Sequence, residues 1–179
     1  MTHWKTLLAG LLIAALTACA SNIHSSVNTD TLDSGAKWVL LPIANNTDTP
    51  QAGLSAEAMV EHQLRLRGIH TLERYPAALS RDSLFEPTER KVSEESKKWA
   101  KEQGMRFAVM GSVEEWRYKV GIDGEPAVGV SLIVVDLSTD RVVWSASGGK
   151  SGWSRQALSA VAQTLLTDIF ASLRLSSAK

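Results

Sequence analysis

Three β-type runs follow one another with no helical pattern between them. They are "RFAVMGSVEEWRYKV" (106–120), "AVGVSLIVVDL" (127–137) and "RVVWSAS" (141–147). The breaks are short: "GIDGEP" at 121–126 carries turn chemistry, and "STD" at 138–140 is too brief for anything but a reversal. Strands joined this way form an antiparallel meander. Such a sheet has an apolar face that must be covered. A cover follows directly. Across 155–175, Ala157, Leu158, Val161, Leu165, Ile169 and Leu173 fall on one stripe of a helix, which is expected to pack on the sheet.

The upstream half supplies alternating elements. "KWVLLPIAN" (37–45) is a short apolar run bounded by polar residues and reads as a buried strand. A loop spans 45–53. Leu54, Ala58 and Leu64 sit at helical spacing over 54–67, with Gly68 as the stop. "IHTLERY" (69–75) reads as a second strand, and 76–92 is broken by Pro76 and Pro87. A helix then opens on Ser93, with Glu94 and Glu95 in its first turn and Lys97, Lys98 and Lys101 later, an order that complements the helix dipole. Gly104 ends it. The order β-α-β-α-β-β-β-α predicts an α/β sandwich: a mixed sheet with an antiparallel meander and packed helices.

The first twenty residues carry a different message. Lys5 is their only acidic or basic charge, and "LLAGLLIAAL" (7–16) is followed by "TAC" (17–19). This charged-apolar-small order is that of a secretory signal. Ten apolar residues are half of the roughly 20 needed to span a bilayer as a helix. Leu, a small residue, Ala and Cys in sequence also form a bacterial lipobox. Cys19 is the only cysteine in 179 residues, so it has no disulfide partner in the chain. It is expected to carry lipid once the signal is cut. Ala20 stands where the enterobacterial inner-membrane retention signal has Asp, which points to the outer membrane. The expected layout is a lipoprotein signal peptide at 1–18, a flexible lipidated tether at 19–36 and one α/β domain at 37–179.

Loss of Lys5 leaves 18 basic against 19 acidic residues, so no global charge or basic run recruits nucleic acid. There is no G-x-G-x-x-G, Walker loop, C-x-x-C or H-E-x-x-H. No catalytic group, metal or cofactor is expected. Six Trp beside two Tyr and three Phe is an unusual balance. Trp38, Trp99 and Trp144 fall within periodic elements and read as core or subunit contacts. Trp116 can be read either way. Trp153 lies in "SGGKSGWSR", a glycine-rich polar loop, between Lys150 and Arg155. Two readings stand for it: contact with a bilayer or partner, which suits an amphipathic ring, or a cap folded back onto the sandwich.

"WVLLPIANNT", "FAVMGSVEEWRYKVGIDGEPAVGVSL" and "VVWSASGGKSGWSR" together resemble the PelC family, outer-membrane lipoproteins of Pel exopolysaccharide secretion. The resemblance covers nearly the whole chain after the signal. "VVDLSTDRVVWS" belongs to a broader pattern, similar to envelope lipoproteins of the curli-secretion and peptidoglycan-synthase-activator type. The PelC resemblance implies a homo-oligomeric ring beneath the outer membrane, set against PelB, an outer-membrane β-barrel porin with a periplasmic helical-repeat region. It implies a cationic galactosamine-containing polymer guided to the pore by acids, an acylated Cys19, and a membrane-side tryptophan best matched by Trp153. Asp123, Glu125, Glu114 and Glu115 are the candidate guiding acids; the alternative is an ordinary solvated turn. A different function on the same fold is a periplasm-facing lipoprotein that activates an envelope enzyme. The 20–36 stretch is short for that reach, at roughly 3.3–3.6 Å per extended residue.

Overall fold

The computed structural model describes residues 22–27, 31–76, 89–121 and 124–176. Its strands are β1 (Asn22–Val27), β2 (Leu32–Asp33), β3 (Trp38–Asn45), β4 (Leu72–Arg74), β5 (Phe107–Tyr118), β6 (Pro126–Asp136), β7 (Arg141–Ser151) and β8 (Leu175–Ser176). Its helices are α1 (Ala52–Leu66), α2 (Glu89–Glu102) and α3 (Leu158–Phe170). Six strands form one mixed sheet in the order β1-β7-β6-β5-β3-β4, and β2 pairs with β8 apart from it. The meander β5-β6-β7 is antiparallel, while β3 runs parallel to both β4 and β5. This is the expected α/β sandwich.

Strand alternation distributes the core between two faces. Trp38 and Leu40 point to one side with Val109, Val113, Val130, Leu132 and Trp144, where α1 and α3 cover them. Val39 and Leu41 point to the other with Ala108, Met110 and Val135, under Ala100 of α2. The helices follow from their stripes. Ala56, Val60 and Leu64 recur every four residues on α1, and Val161, Leu165 and Ile169 do so on α3; all six are buried. Two aromatic pairs anchor the larger core: Trp38 against Phe107 with centroids 4.7 Å apart, and Trp144 stacked on Phe170 at 5.7 Å. Gly53 is required where α1 meets β3, because a Cβ there would collide with the Ile43 carbonyl oxygen. Pro42 lies where the β3–β5 register shifts, between Leu40 and Ile43; without an N–H it cannot extend the ladder.

Several expectations change. Residues 19–36 read as a flexible tether, yet Asn22–Val27 pairs antiparallel with β7 as an edge strand, and Leu32 is buried. The pairing uses backbone groups, which a polar stretch such as "NIHSSV" supplies as well as an apolar one. Ser93 is no cap, because α2 begins at Glu89 and Ser93 is inside it. The last helix is shorter than 155–175, and its tail returns as β8. The third meander strand continues to Ser151, so Lys150 stands on a strand and not in a loop.

Asp136 closes β6. It accepts hydrogen bonds from Ser138 Oγ at 2.7 Å, Ser138 N at 2.9 Å and Arg106 Nη2 at 2.7 Å. Burial alone would raise its carboxyl, but the Ser138 bonds and the Arg106 charge outweigh burial and hold it below the usual aspartate value of 3.8. A depressed folded value stabilises the protein above the unfolded value and loses that effect as pH falls through the folded one. Asp136→Asn is therefore expected to cost about 2 kcal/mol at neutral pH. The gap between mutant and wild-type melting temperatures should narrow as the pH falls through and below the usual aspartate value. A series of thermal melts against pH checks both halves.

Candidate functional site

The β5–β6 hairpin, the β7–α3 loop and the start of β1 meet at one end of the sheet. The strand directions dictate this: β6 starts where β5 ends, β7 ends beside the start of β6, and β1 starts beside the end of β7. The hairpin closes on a bond from Lys119 N to the Glu125 carbonyl at 2.7 Å. Gly152 N donates to the Pro126 carbonyl at 2.8 Å, which carries the β6–β7 pairing one residue past the strand.

Trp153 sits in a tight turn. Gln156 N donates to its carbonyl at 3.0 Å, and its own N–H donates to Gln156 Oε1 at 3.2 Å. Arg155 takes a left-handed φ of 74° to make the reversal, a conformation that costs a non-glycine residue of order 1 kcal/mol. The indole is 71% exposed, so it does not cap the sandwich in the chain as described. Trp116, by contrast, is in the main core, and Trp99 makes an edge-on contact with Tyr75.

Lys150 and Arg155 part company. Lys150 Nζ is 3.2 Å from Asp168 Oδ2 on α3, where it ties β7 to the helix. Arg155 is exposed and forms no ion pair among the described residues. Tyr118 and Lys119, which sequence reading did not single out, hold the loop to the hairpin. Leu158 N donates to Tyr118 Oη at 3.0 Å, giving the first turn of α3 the cap that Ala157 lacks. Lys119 Nζ donates to Ser151 Oγ at 2.7 Å. No local pattern signals a cap donated across 40 residues.

The candidate acids fall in two places. Glu114 is the extra residue of a bulge, where β5–β6 pairing shifts between Val113 and Glu115. Its carboxylate accepts from Asn46 Nδ2 at 3.1 Å and from Ser112 Oγ. Glu115 pairs with Arg117 at 3.0 Å. Both line an open cleft of about 500 Å³ with Asp48, Trp116 and Gly129. Asp48 comes from the β3–α1 loop and was not a sequence candidate. Glu125 stands apart, half-buried on the hairpin. Asp123 and Cys19 lie outside the described residues. Among the described residues, no three His, Cys, Asp or Glu side chains are grouped to hold a metal, and no helix is long and apolar enough to cross a membrane.

No family model matches the chain, and no curated protein sequence matches it. Solved structures do. One is a PelC dodecamer from Paraburkholderia phytofirmans, 37% identical over 88% of this chain and 99% of that one, with a TM-score of 0.73. Another is a leucine-to-methionine variant of that PelC, also a dodecamer, at 38% identity, 88% and 100% coverage and a TM-score of 0.74. The chain belongs to the PelC family. A more distant match, lipoprotein GNA1162 from Neisseria meningitidis, is 17% identical over 76% of this chain and 96% of that one, with a TM-score of 0.55, and shares the fold.

Proposed function

We propose that this chain is a lipid-anchored outer-membrane component of Pel exopolysaccharide export, which assembles as a closed ring on the periplasmic side and passes a cationic polymer toward a porin. The observation that carries the reading is near-complete coverage by PelC structures at 37–38% identity, both of them dodecamers. A closed ring repeats one heterologous interface until it shuts. Signal peptide and acylation at Cys19 rest on the lipobox, and outer-membrane sorting rests on Ala20.

In this reading the role of the acids is bulk attraction. Asp123, Glu125, Glu114 and Glu115 recur around the ring opening in every subunit. One sign of charge along an opening raises the local concentration of the opposite charge. Galactosamine units without acetyl groups are cationic, PelB supplies the pore, and no catalytic step is needed. Trp153 and Arg155 face the bilayer or that partner.

Light scattering on the domain lacking lipid tests the assembly. The expected result is one discrete species many-fold heavier than the monomer, persisting on dilution. A monomer at tens of micromolar, alone and with the porin's periplasmic region, would remove the ring.

A further inference from the structure

Nothing buries the turn that carries Trp153. Residues 153–157 are all exposed, the indole included. Arg155 holds a left-handed φ of 74°, a conformation that persists only where surrounding bonds over-determine it. The bonds between Trp153 and Gln156 fix the shape of the turn, but not where it points. Its position has to come from its two ends.

The first end is held by backbone. Gly152 N donates to the Pro126 carbonyl at 2.8 Å. The second end is held by one side chain. Tyr118 is the register partner of Pro126, so it lies two strands from Gly152, roughly 10 Å across the sheet. Its ring reaches the start of α3, where the hydroxyl accepts from Leu158 N at 3.0 Å and stands 3.5 Å from the Gln156 carbonyl. Ala157, the residue before the helix, makes no side-chain cap bond. A Ser, Asp or Asn there would cap α3 locally, but would tie the helix only to its own loop. A tyrosine from β5 ties it to the hairpin. Lys119 adds a tie from the same arm, from Nζ to Ser151 Oγ at 2.7 Å.

We propose that Tyr118 is a positioning residue for Trp153: its hydroxyl clamps the far end of the loop to the β5–β6 hairpin and so holds the indole in one place and at one angle. The proposal rests on the reading of Trp153 as an outward contact of the export assembly. A group ordered before contact loses less freedom on making it, and in a ring that advantage recurs in every copy. A ring without the hydroxyl at 118 leaves the strand intact and the loop free to swing about Gly152.

The test uses the full lipidated chain. Acylation consumes the sole native thiol, so Ser154→Cys leaves one free thiol for a nitroxide spin label on the loop. Leu66→Cys, 66% exposed on α1, gives the same label on a remote surface. Tyr118→Phe is expected to narrow the spectrum of the label at 154, leave that at 66 unchanged, and cut export severalfold. A second variant separates positioning from helix capping. Tyr118→Phe with Ala157→Ser gives α3 a local cap, and should regain the wild-type melting temperature while the label at 154 stays mobile and export stays low. An unchanged spectrum at 154 in Tyr118→Phe overturns the clamp. Export restored by Ala157→Ser also overturns it, because the hydroxyl would then serve only as a cap. Trp153→Ala with normal export would overturn the reading of Trp153, and the proposal with it, whatever the spectra show.

Discussion

Cys19→Ala is expected to leave the protein folded, absent from the outer membrane, and unable to support polymer export. The size of the effect follows from what else could hold the chain at the bilayer. Acyl chains contribute about 0.8 kcal/mol per buried CH₂, and two or more give stable anchoring. One exposed tryptophan contributes about 1.5–3 kcal/mol at full burial, too little to hold a monomer at a surface. Among the described residues no helix can span the membrane in place of lipid. Folding should be indifferent, because the nearest described residue is Asn22 and the core begins at Leu32. Fractionation, a thermal melt and an export assay on one strain separate the outcomes. A mutant found in the outer membrane with normal export would show that the cysteine is not the anchor.

The same strand explains why part of this molecule was readable and part was not. The meander and the α3 stripe could be read because their signals are apolar and local. Val130, Leu132 and Val134 alternate toward one face, and Val161, Leu165 and Ile169 repeat at helical spacing. β1 carries no such signal. His24, Ser25 and Ser26 are exposed, and the strand exists because β7 offers an unpaired edge of backbone groups. "SGGKS" looked like a loop for a related reason. Glycines lower strand propensity, but Gly148 lies where any Cβ would press on Leu165 and Ile23 at 3.0–3.1 Å. Tertiary contact needed the glycine and kept the strand. Of the site, Trp153 could be picked out by composition alone, as a large ring where no period holds one. Lys150 pairs with Asp168 on another element, a contact that no local pattern announces. Asp48 and Tyr118 reach their positions only through folding.

Trp144 and Trp153 should respond to alanine in opposite ways. Trp144 is 1% exposed, stacks on Phe170 and donates from Nε1 to Ser172 Oγ at 3.1 Å. Its removal leaves a cavity between β7 and α3 that packed neighbours cannot fill, a change that costs about 3–5 kcal/mol. For a domain of this size that is a drop in melting temperature of roughly 10–20 °C. Export should fail with it, through loss of folded protein. Trp153→Ala removes a ring already in water and leaves both backbone bonds of its turn, so melting and assembly should stay as in wild type. Export should nevertheless be lost, because a weak contact repeated in every subunit of a ring acts by avidity, and removing it removes every copy at once. Trp153→Phe keeps an apolar ring without the indole N–H and should fall between. Thermal melts on the soluble domains, beside an export assay, give the comparison. A Trp153→Ala protein that melts well below wild type would mean the indole packs within the assembly, and the membrane role would then fail even if export were lost.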